Sequence, residues 1–247
     1  MNDLLVVVPS RGRPLSIARL SEKMLETCEG DTALLVGLDA DDPRLQDYRT
    51  LGLQPLVMPY EIRSGLRQVV AWINELTVPL VHEYKYMGHF GDDNVPSTPG
   101  WDVAIMNALE QTPFAFANDL YPRAPGSLCC HVFCRSEVIA KLGYFGPPQI
   151  RHMYVDVAWM AWGVACGITY LDDVIIEHLH YSVGKSPLDE SYAASTALIT
   201  GGDLAAWHSY SRNLGTGGLN DDIDKLGGEP FTPLALSRFN AGLGIPG

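Results

Sequence analysis

Two periodicities alternate along the first 120 residues. Leu4–Val8 is a continuous apolar run, mostly β-branched and closed by Pro9, the pattern of a strand buried on both faces. Pro14–Cys28 sets Leu15, Ala18, Met24 and Leu25 among charged residues, which predicts a helix. Thr32–Leu38 predicts a second apolar strand, Pro43–Leu51 a short helix, and Leu53–Met58 a third strand. From Arg63 to Leu76 the apolar positions are Leu66, Val69, Val70, Ile73 and Leu76, one face of an amphipathic helix. Tyr84–Phe90 predicts a fourth strand, Trp101, Ile105, Ala108 and Leu109 mark a helix opened by Pro99-Gly100, and Phe114–Ala117 predicts a fifth strand. Strand and helix in strict alternation predict an α/β fold, an open, mostly parallel central sheet flanked by helices.

Beyond residue 120 the alternation is lost. Ser127–Arg135 reads as a strand and Ser136–Leu142 as a short helix capped by Ser136. Val155–Cys166 is apolar almost throughout and predicts a fully buried helix. Ile168–Leu171 and Val174–His178 read as two short strands, and Pro187–Arg212 as a helix broken near Gly201-Gly202. From about residue 213 a Gly/Pro-rich extension with the charge run Asp221–Asp224 reads as a loose tail, packed on the body or partly mobile. No internal repeat or linker divides the chain, so a single domain spanning 1–247 is expected.

Composition narrows the partners. With 17 Lys+Arg against 29 Asp+Glu the formal charge is −12, which excludes general polyanion binding and favours metals and cationic ligands. No run of about 18 apolar residues is present, so no membrane insertion is expected. The start lacks a basic segment ahead of its apolar run, so no signal peptide is read and a cytoplasmic location is expected. The five cysteines, Cys28, Cys129, Cys130, Cys134 and Cys166, contain no CxxC and read as buried reduced thiols. Zinc held by Cys129, Cys130 and Cys134 is disfavoured, because adjacent strand residues face opposite ways.

Candidate chemistry gathers at strand ends, where parallel sheets bind ligands. Strand one ends in Pro9-Ser10-Arg11-Gly12-Arg13-Pro14, strand two in Asp39-Ala40-Asp41-Asp42, and strand four in Gly91-Asp92-Asp93-Asn94. Clustered carboxylates call for a cation, and arginines beside them for an anion; a metal-bound diphosphate satisfies both. Each segment alone has a plainer reading. The Asp39 cluster reads equally as a turn and helix cap, Arg11 and Arg13 as solvated loop charges, and Gly91–Asn94 as a hairpin turn. Their joint occurrence at three ends of one sheet is the signal.

These segments resemble GT-A fold glycosyltransferases, most closely the family 2 type and possibly phage-type members. The resemblance rests on Val6–Pro14, Leu38–Asp42, Arg63-Ser-Gly-Leu-Arg67, the acid motif Phe90–Asn94 and Pro99–Asp102, and covers roughly residues 4–180. It implies a GT-A (nucleotide-diphospho-sugar transferase) fold and a metal-dependent, inverting transfer from a nucleotide-diphosphate sugar to a hydroxyl, hexosyl transfer being the type expected. Pro9, Ser10, Arg11, Arg13, Asp39, Asp41, Arg63, Arg67 and Asp92 are implied on the donor, with Arg11 and Asp39 on its nucleoside. Mn²⁺ or Mg²⁺ is implied on the acid motif, where Asp92-Asp93-Asn94 is not a strict D-x-D; Asp93 is the favoured ligand and Asp92 the second.

Two later features fit. Asp156 is the only charge from Met153 to Thr169 and is either a helix N-cap or a functional carboxylate. The resemblance implies the catalytic base that deprotonates the acceptor, with Asp119 or Asp189 next in line. His178 and His180 share a strand face, as metal ligands or as ordinary strand-end histidines, and the resemblance implies a late histidine on the cation. Lys185 follows as a phosphate partner or a solvated lysine. The acceptor is a small molecule, a protein or a modified DNA base. A sugar-nucleotide nucleotidyltransferase and a non-catalytic GT-A-like binding domain are the alternatives; Pro9–Pro14 lacks the Gly-rich, lysine-bearing loop of the first, and the joint presence of Asp92, Asp93 and Asp156 argues against the second.

Overall fold

The computed structural model describes residues 3–53, the backbone of 56–58, and residues 69–190, 192–193, 202–212 and 217–246. Its strands are β1 (Leu4–Ser10), β2 (Thr32–Asp39), β3 (Leu56–Met58), β4 (Tyr86–His89), β5 (Asn94–Pro96), β6 (Phe114–Asn118), β7 (Phe133–Arg135) and β8 (Ile168–His178). Its described helices are α1 (Pro14–Thr27), α2 (Leu45–Thr50), α3 (Val69–Thr77), α4 (Trp101–Leu109), α5 (Ser136–Leu142), α6 (Val155–Cys166), α7 (Leu204–Ser211), α8 (Leu219–Leu226) and α9 (Pro233–Gly242).

The sheet order is β3-β2-β1-β4-β7-β6-β8-β5. β1 lies between β2 and β4, parallel to both, which is why its apolar run is continuous. Leu4, Val6 and Val8 face a layer formed with Ile17, Leu20 and Met24 of α1 and Trp101, Ile105 and Leu109 of α4. Leu5 and Val7 face the opposite layer, with Val70, Ile73 and Leu76 of α3 and Trp159 and Trp162 of α6. Each such aliphatic side chain contributes about 1.5–3 kcal/mol when fully buried. The α1–β2 turn is fixed by Asp102, fully buried, which accepts from the amides of Glu29 and Gly30 at 3.0 Å each and from Thr32 Oγ1 at 2.7 Å. A Cβ on Gly30 would stand 2.5 Å from Met106 Cε, so a larger residue there would have to push the end of that side chain aside.

Several elements depart from the sequence reading. The sheet is parallel through β3-β2-β1-β4, but β7 enters antiparallel between β4 and β6. The strand expected over Ser127–Arg135 is confined to Phe133–Arg135. The helix after it begins at Ser136, with Arg135 at the cap position; Ser136 Oγ caps nothing and is buried without a partner. The two strands expected after α6 are one, β8, which continues through a register shift against β6 between Ala117 and Asn118. Val164 of α6 is exposed, so that helix is not wholly buried. The loose tail is instead two helices, α8 and α9. Leu219 and Ile223 enter the core, and fully buried Asp222 accepts from the hydroxyls of Tyr144 at 2.5 Å and Tyr210 at 2.7 Å. The charge run is therefore half structural. Residues 63–68 of the expected amphipathic helix lie outside the described residues, as do 191 and 194–201 of the expected 187–212 helix, whose first three residues, 187–189, are not helical. No described helix is long and apolar enough to cross a membrane.

Candidate active site

The ends of β1, β2 and β4, the segment after β8, and one face of α3 and α6 enclose a cavity of about 350 Å³. Pro9, Ser10, Arg11, Arg13, Asp39, Asp92, Asp93, Asp156, His178 and His180 all line it. Asp41 and Lys185 are not among its described lining: Asp41 is held outside by Arg11, and Lys185 pairs with Glu177 at 2.8 Å. Arg63 and Arg67 lie outside the described residues.

The β1 loop is a network. Arg11 Nη1 reaches Asp39 Oδ2 at 3.1 Å and Asp41 Oδ1 at 2.7 Å, and these charges raise its pKa. The amide of Gly12 donates to Asp42 at 2.9 Å. Tyr48 Oη lies 3.0 Å from Ser10 Oγ and accepts from the amide of Arg13 at 2.9 Å. Asp39, Asp41 and Asp42 thus divide their work: two face Arg11 and the third braces the loop.

The Gly91–Asn94 turn is closed by the amide of Asn94 on Gly91 O at 3.0 Å, and Asn94 Oδ1 accepts from the amide of Gly91 at 2.7 Å. A Cβ at Gly91 would sit 2.6 Å from Asp93 Oδ1, so the acid pair demands glycine before it. The two acids have different partners. Asp92 accepts from Ser10 Oγ at 2.7 Å and Arg13 Nη1 at 2.8 Å. Asp93 Oδ2 accepts from Tyr192 Oη at 2.7 Å and faces His178 Nε2 at 3.3 Å. Burial raises the Asp92 carboxyl, and the charge of Asp93 beside it adds to this against Arg13. Burial acts the same way on Asp93, but hydrogen bonds from His178 and Tyr192 overrule it and hold Asp93 below the carboxylate range. Burial opposes charge on His178 too, yet Asp93 and Cys130 raise its pKa to about 10.

β5, which was not expected, makes this meeting possible. Asn94 pairs with His178 across the antiparallel β5–β8 ladder, and the amide of Leu179 donates to Asp93 O at 2.8 Å. His180 follows, its Nδ1 2.7 Å from Ser182 Oγ and its ring centroid 5.1 Å from that of His178.

The residues present fit a hard divalent cation. Asp93 Oδ2 and His178 Nε2, 3.3 Å apart at the cavity, are the two side-chain atoms that would hold such an ion. An anionic carboxylate oxygen and an imidazole are a suitable mixed donor set for Mn²⁺ once the ion displaces the proton that His178 holds against Asp93, so binding at this pair would release a proton. A second group, Asp119, Cys130 and His178, brings its ligand atoms within 4.8 Å of one another. There a guanidinium already supplies the positive charge: Arg123 Nη2 pairs with Asp119 and donates to Cys130 Sγ at 3.3 Å.

Asp156 is not the N-cap. α6 starts at Val155 with Tyr154 in the cap position, at φ 72°, a left-handed conformation costly for a bulky side chain. Asp156 lies in the first turn. Its Oδ1 accepts from the amide of Val157 at 2.9 Å, and the Cys130 thiol points at its Oδ2 from 4.0 Å. Burial raises its pKa. The fallback bases are otherwise engaged: Asp119 with Arg123, and Asp189 with Arg13, which it grips through Nε and Nη2 at 2.7 Å each.

Sequence reasoning missed Trp72, His89, His152, Met153, Trp159 and Tyr192, all of which line the cavity. Tyr192 packs under Arg13, whose guanidinium lies 4.0 Å from the ring centroid. Only His89 had a signal: a lone histidine in an apolar strand, three residues before the acid pair. It is buried beside Trp159, with ring centroids 5.2 Å apart, and burial lowers its pKa to about 3. The five cysteines are free, and Cys130 lines the cavity rather than the core.

No protein-family model matches the chain, and no curated protein matches it in sequence. Solved structures share its architecture. The mannosyltransferase PcManGT from Pyrobaculum calidifontis, in complex with GDP-Man and Mn²⁺, aligns at TM-score 0.60 and 13% identity over 98% of this chain and 74% of that one. Glucosyl-3-phosphoglycerate synthase from Mycobacterium tuberculosis, with Mg²⁺ and UDP, aligns at 0.51 and 15% identity over 80% and 77%. S. aureus TarS in complex with UDP aligns at 0.52 and 12% identity over 71% of this chain, which spans 60% of that one. The shared architecture is the GT-A fold of glycosyltransferases.

Proposed function

We propose that the chain is a metal-dependent glycosyltransferase that moves a sugar, read as a hexose, from a nucleotide-diphosphate donor to a hydroxyl acceptor with inversion. One observation carries the reading: the Asp93–His178 pair and the half-buried carboxylate of Asp156 line the same cavity, with the arginine-bearing β1 loop beside them. The neighbours' complexes with UDP, GDP-Man, Mn²⁺ and Mg²⁺ support it.

Pro9–Arg13 and Asp39 hold the nucleoside. Asp93 and His178 hold the cation, with His180 beside them. Bound Mn²⁺ or Mg²⁺ would act as a Lewis acid on the departing diphosphate. Asp92 and Ser10 keep Arg13 oriented at the edge of that site. Asp156 takes the proton of the acceptor hydroxyl as its oxygen bonds to the anomeric carbon and the bond to the diphosphate breaks. Its raised pKa makes it a stronger base than an ordinary aspartate, and the Val157 amide fixes its orientation.

The test is a nucleotide-sugar panel with Mn²⁺. Slow hydrolysis of one donor to free sugar and nucleoside diphosphate is expected. Turnover only with a sugar phosphate and a nucleoside triphosphate would identify a nucleotidyltransferase. Neither turnover nor donor binding would leave a binding domain.

A further inference from the structure

One wall of the cavity differs chemically from the rest. It is built by α3 and by the entry and first turns of α6, and it presents Val69, Trp72, Met153, Val155 and Trp159. The wall is braced from behind. The amide of Val70 donates to Arg151 O at 3.0 Å, and Trp159 Nε1 donates to Phe145 O at 2.7 Å. Buried Asp203 accepts from the amides of His152 and Met153 at 3.2 and 2.9 Å. A surface this well fixed is a template rather than a compliant loop.

Set into this wall is His89. Its side chain is more than nine-tenths buried, it lines the cavity, and its Nδ1 has no partner. An unpaired buried polar atom costs about 1–3 kcal/mol. The ring is neutral, and whichever nitrogen meets a ligand either donates to or accepts from it, a choice a hydroxyl satisfies in both tautomers. The charges point the same way. Arg11 and Arg13, the arginines of the described lining, belong to the β1 loop and engage Asp39, Asp41, Asp92 and Asp189. On the α3–α6 wall the acid is Asp156, and His152 is the one described side chain besides His89 able to take a positive charge. A phosphate or carboxylate on the acceptor would find no fixed cation on this wall; the charges of Arg123 and His178 that act on Asp156 come from other elements and are themselves paired with Asp119 and Asp93.

Resting on the reading that the cavity transfers a sugar, we propose that the α3–α6 wall takes an uncharged carbohydrate ring as acceptor. The C–H face of the ring packs on Trp72, Met153 and Val155, one ring hydroxyl pairs with His89, and the attacking hydroxyl lies at Asp156. A sugar ring matches this wall because it joins an apolar face to a rim of hydroxyls.

The experiment reads acceptor binding directly, without turnover. Methyl α-glucoside, methyl α-mannoside and methyl β-galactoside are compared with glucose 6-phosphate and glucuronate by saturation-transfer NMR on the full chain, with and without UDP and Mn²⁺. At least one neutral glycoside should bind about tenfold more tightly than either anion. His89→Ala should weaken that glycoside by about tenfold, near the upper end for one hydrogen bond, and His89→Gln should recover most of it. Anions binding as tightly as the glycosides, no glycoside binding, or His89→Ala binding like wild type would each overturn the proposal. If His89→Ala does not fold, the wild-type comparison and His89→Gln decide it. Because no donor is consumed, this outcome is separate from the donor-hydrolysis test of the transferase reading.

Discussion

Asp93 Oδ2 and His178 Nε2 stand 3.3 Å apart because the residue after Asp93 is paired with His178 in a three-residue antiparallel strand. Eighty-five residues of chain are closed by that ladder, and the acid pair gains its imidazole from the far end of β8. Removing either partner should therefore damage cation binding more than removing His180, whose Nδ1 is committed to Ser182. We expect Asp93→Ala to lower Mn²⁺ affinity by on the order of 10²-fold and His178→Ala by about 10-fold or more. Titration calorimetry with Mn²⁺ alone checks this; equal affinities in wild type and Asp93→Ala would remove the cation from this pair.

Asp156→Asn keeps the shape and the hydrogen bond from Val157 but cannot take a proton. Turnover should fall by about 10²–10⁴ with donor affinity nearly unchanged. Steady-state rates and donor titration on the same preparation separate the two quantities. Retained turnover would return Asp156 to the scaffold.

Arg13 holds two carboxylates, and Asp92 is buried. Arg13→Ala leaves that acid without its cation and should cost roughly 3 kcal/mol. Arg13→Lys should recover only part, since an ammonium cannot grip Asp189 with two parallel hydrogen bonds while reaching Asp92. Urea melts give the answer, and a midpoint unchanged in Arg13→Ala would show that the clamp contributes nothing.

His131 is fully buried, its Nε2 accepts from the amide of Ala117 at 3.2 Å, and burial lowers its pKa to about 4. Below the unfolded value of about 6.5 the unfolded chain takes up a proton that the folded chain does not. The stabilisation is thus complete above pH 6.5 and is lost as pH falls toward 4, at up to about 1.4 kcal/mol per pH unit. His89 adds to the same trend, while the raised pKa values of His178 and Asp92 oppose it. The readout is therefore the difference between variants: in urea melts the stability of wild type relative to His131→Gln should fall between pH 7 and pH 5, and a difference independent of pH would remove His131 from the account.

How far the sequence could be read depended on whether a feature was local. Leu4–Val8 declares a central strand because every residue of it is apolar, and the glycine before Asp92 announces a tight turn. The Arg11, Asp39 and Asp93 segments could be placed together because parallel strands put their carboxyl ends on one edge. What was not legible depends on contacts distant in sequence. β5 is three residues long and exists only as the partner of β8. Asp189 looks like any exposed acid until Arg13 is beside it. Tyr192 has no periodic or charged signature. The tail packs on the body, but its helices are not legible, because glycine and proline dominate it and the burial of Leu219, Ile223 and Asp222 that docks α8 depends on partners distant in sequence.

The Arg13–Asp189 grip spans 176 residues of chain. At about 5–20 residues per second, synthesis takes roughly 10–35 s to travel that distance. During this interval β1, β2 and β4 can pair while the acid motif still lacks both histidines and Tyr192. A nascent chain therefore completes β1 and its loop long before His178 can face Asp93, and the cavity is finished as a late event of biosynthesis. A stalled or truncated chain ending before β8 would carry the acid pair and the β1 loop without the residues that hold either in place.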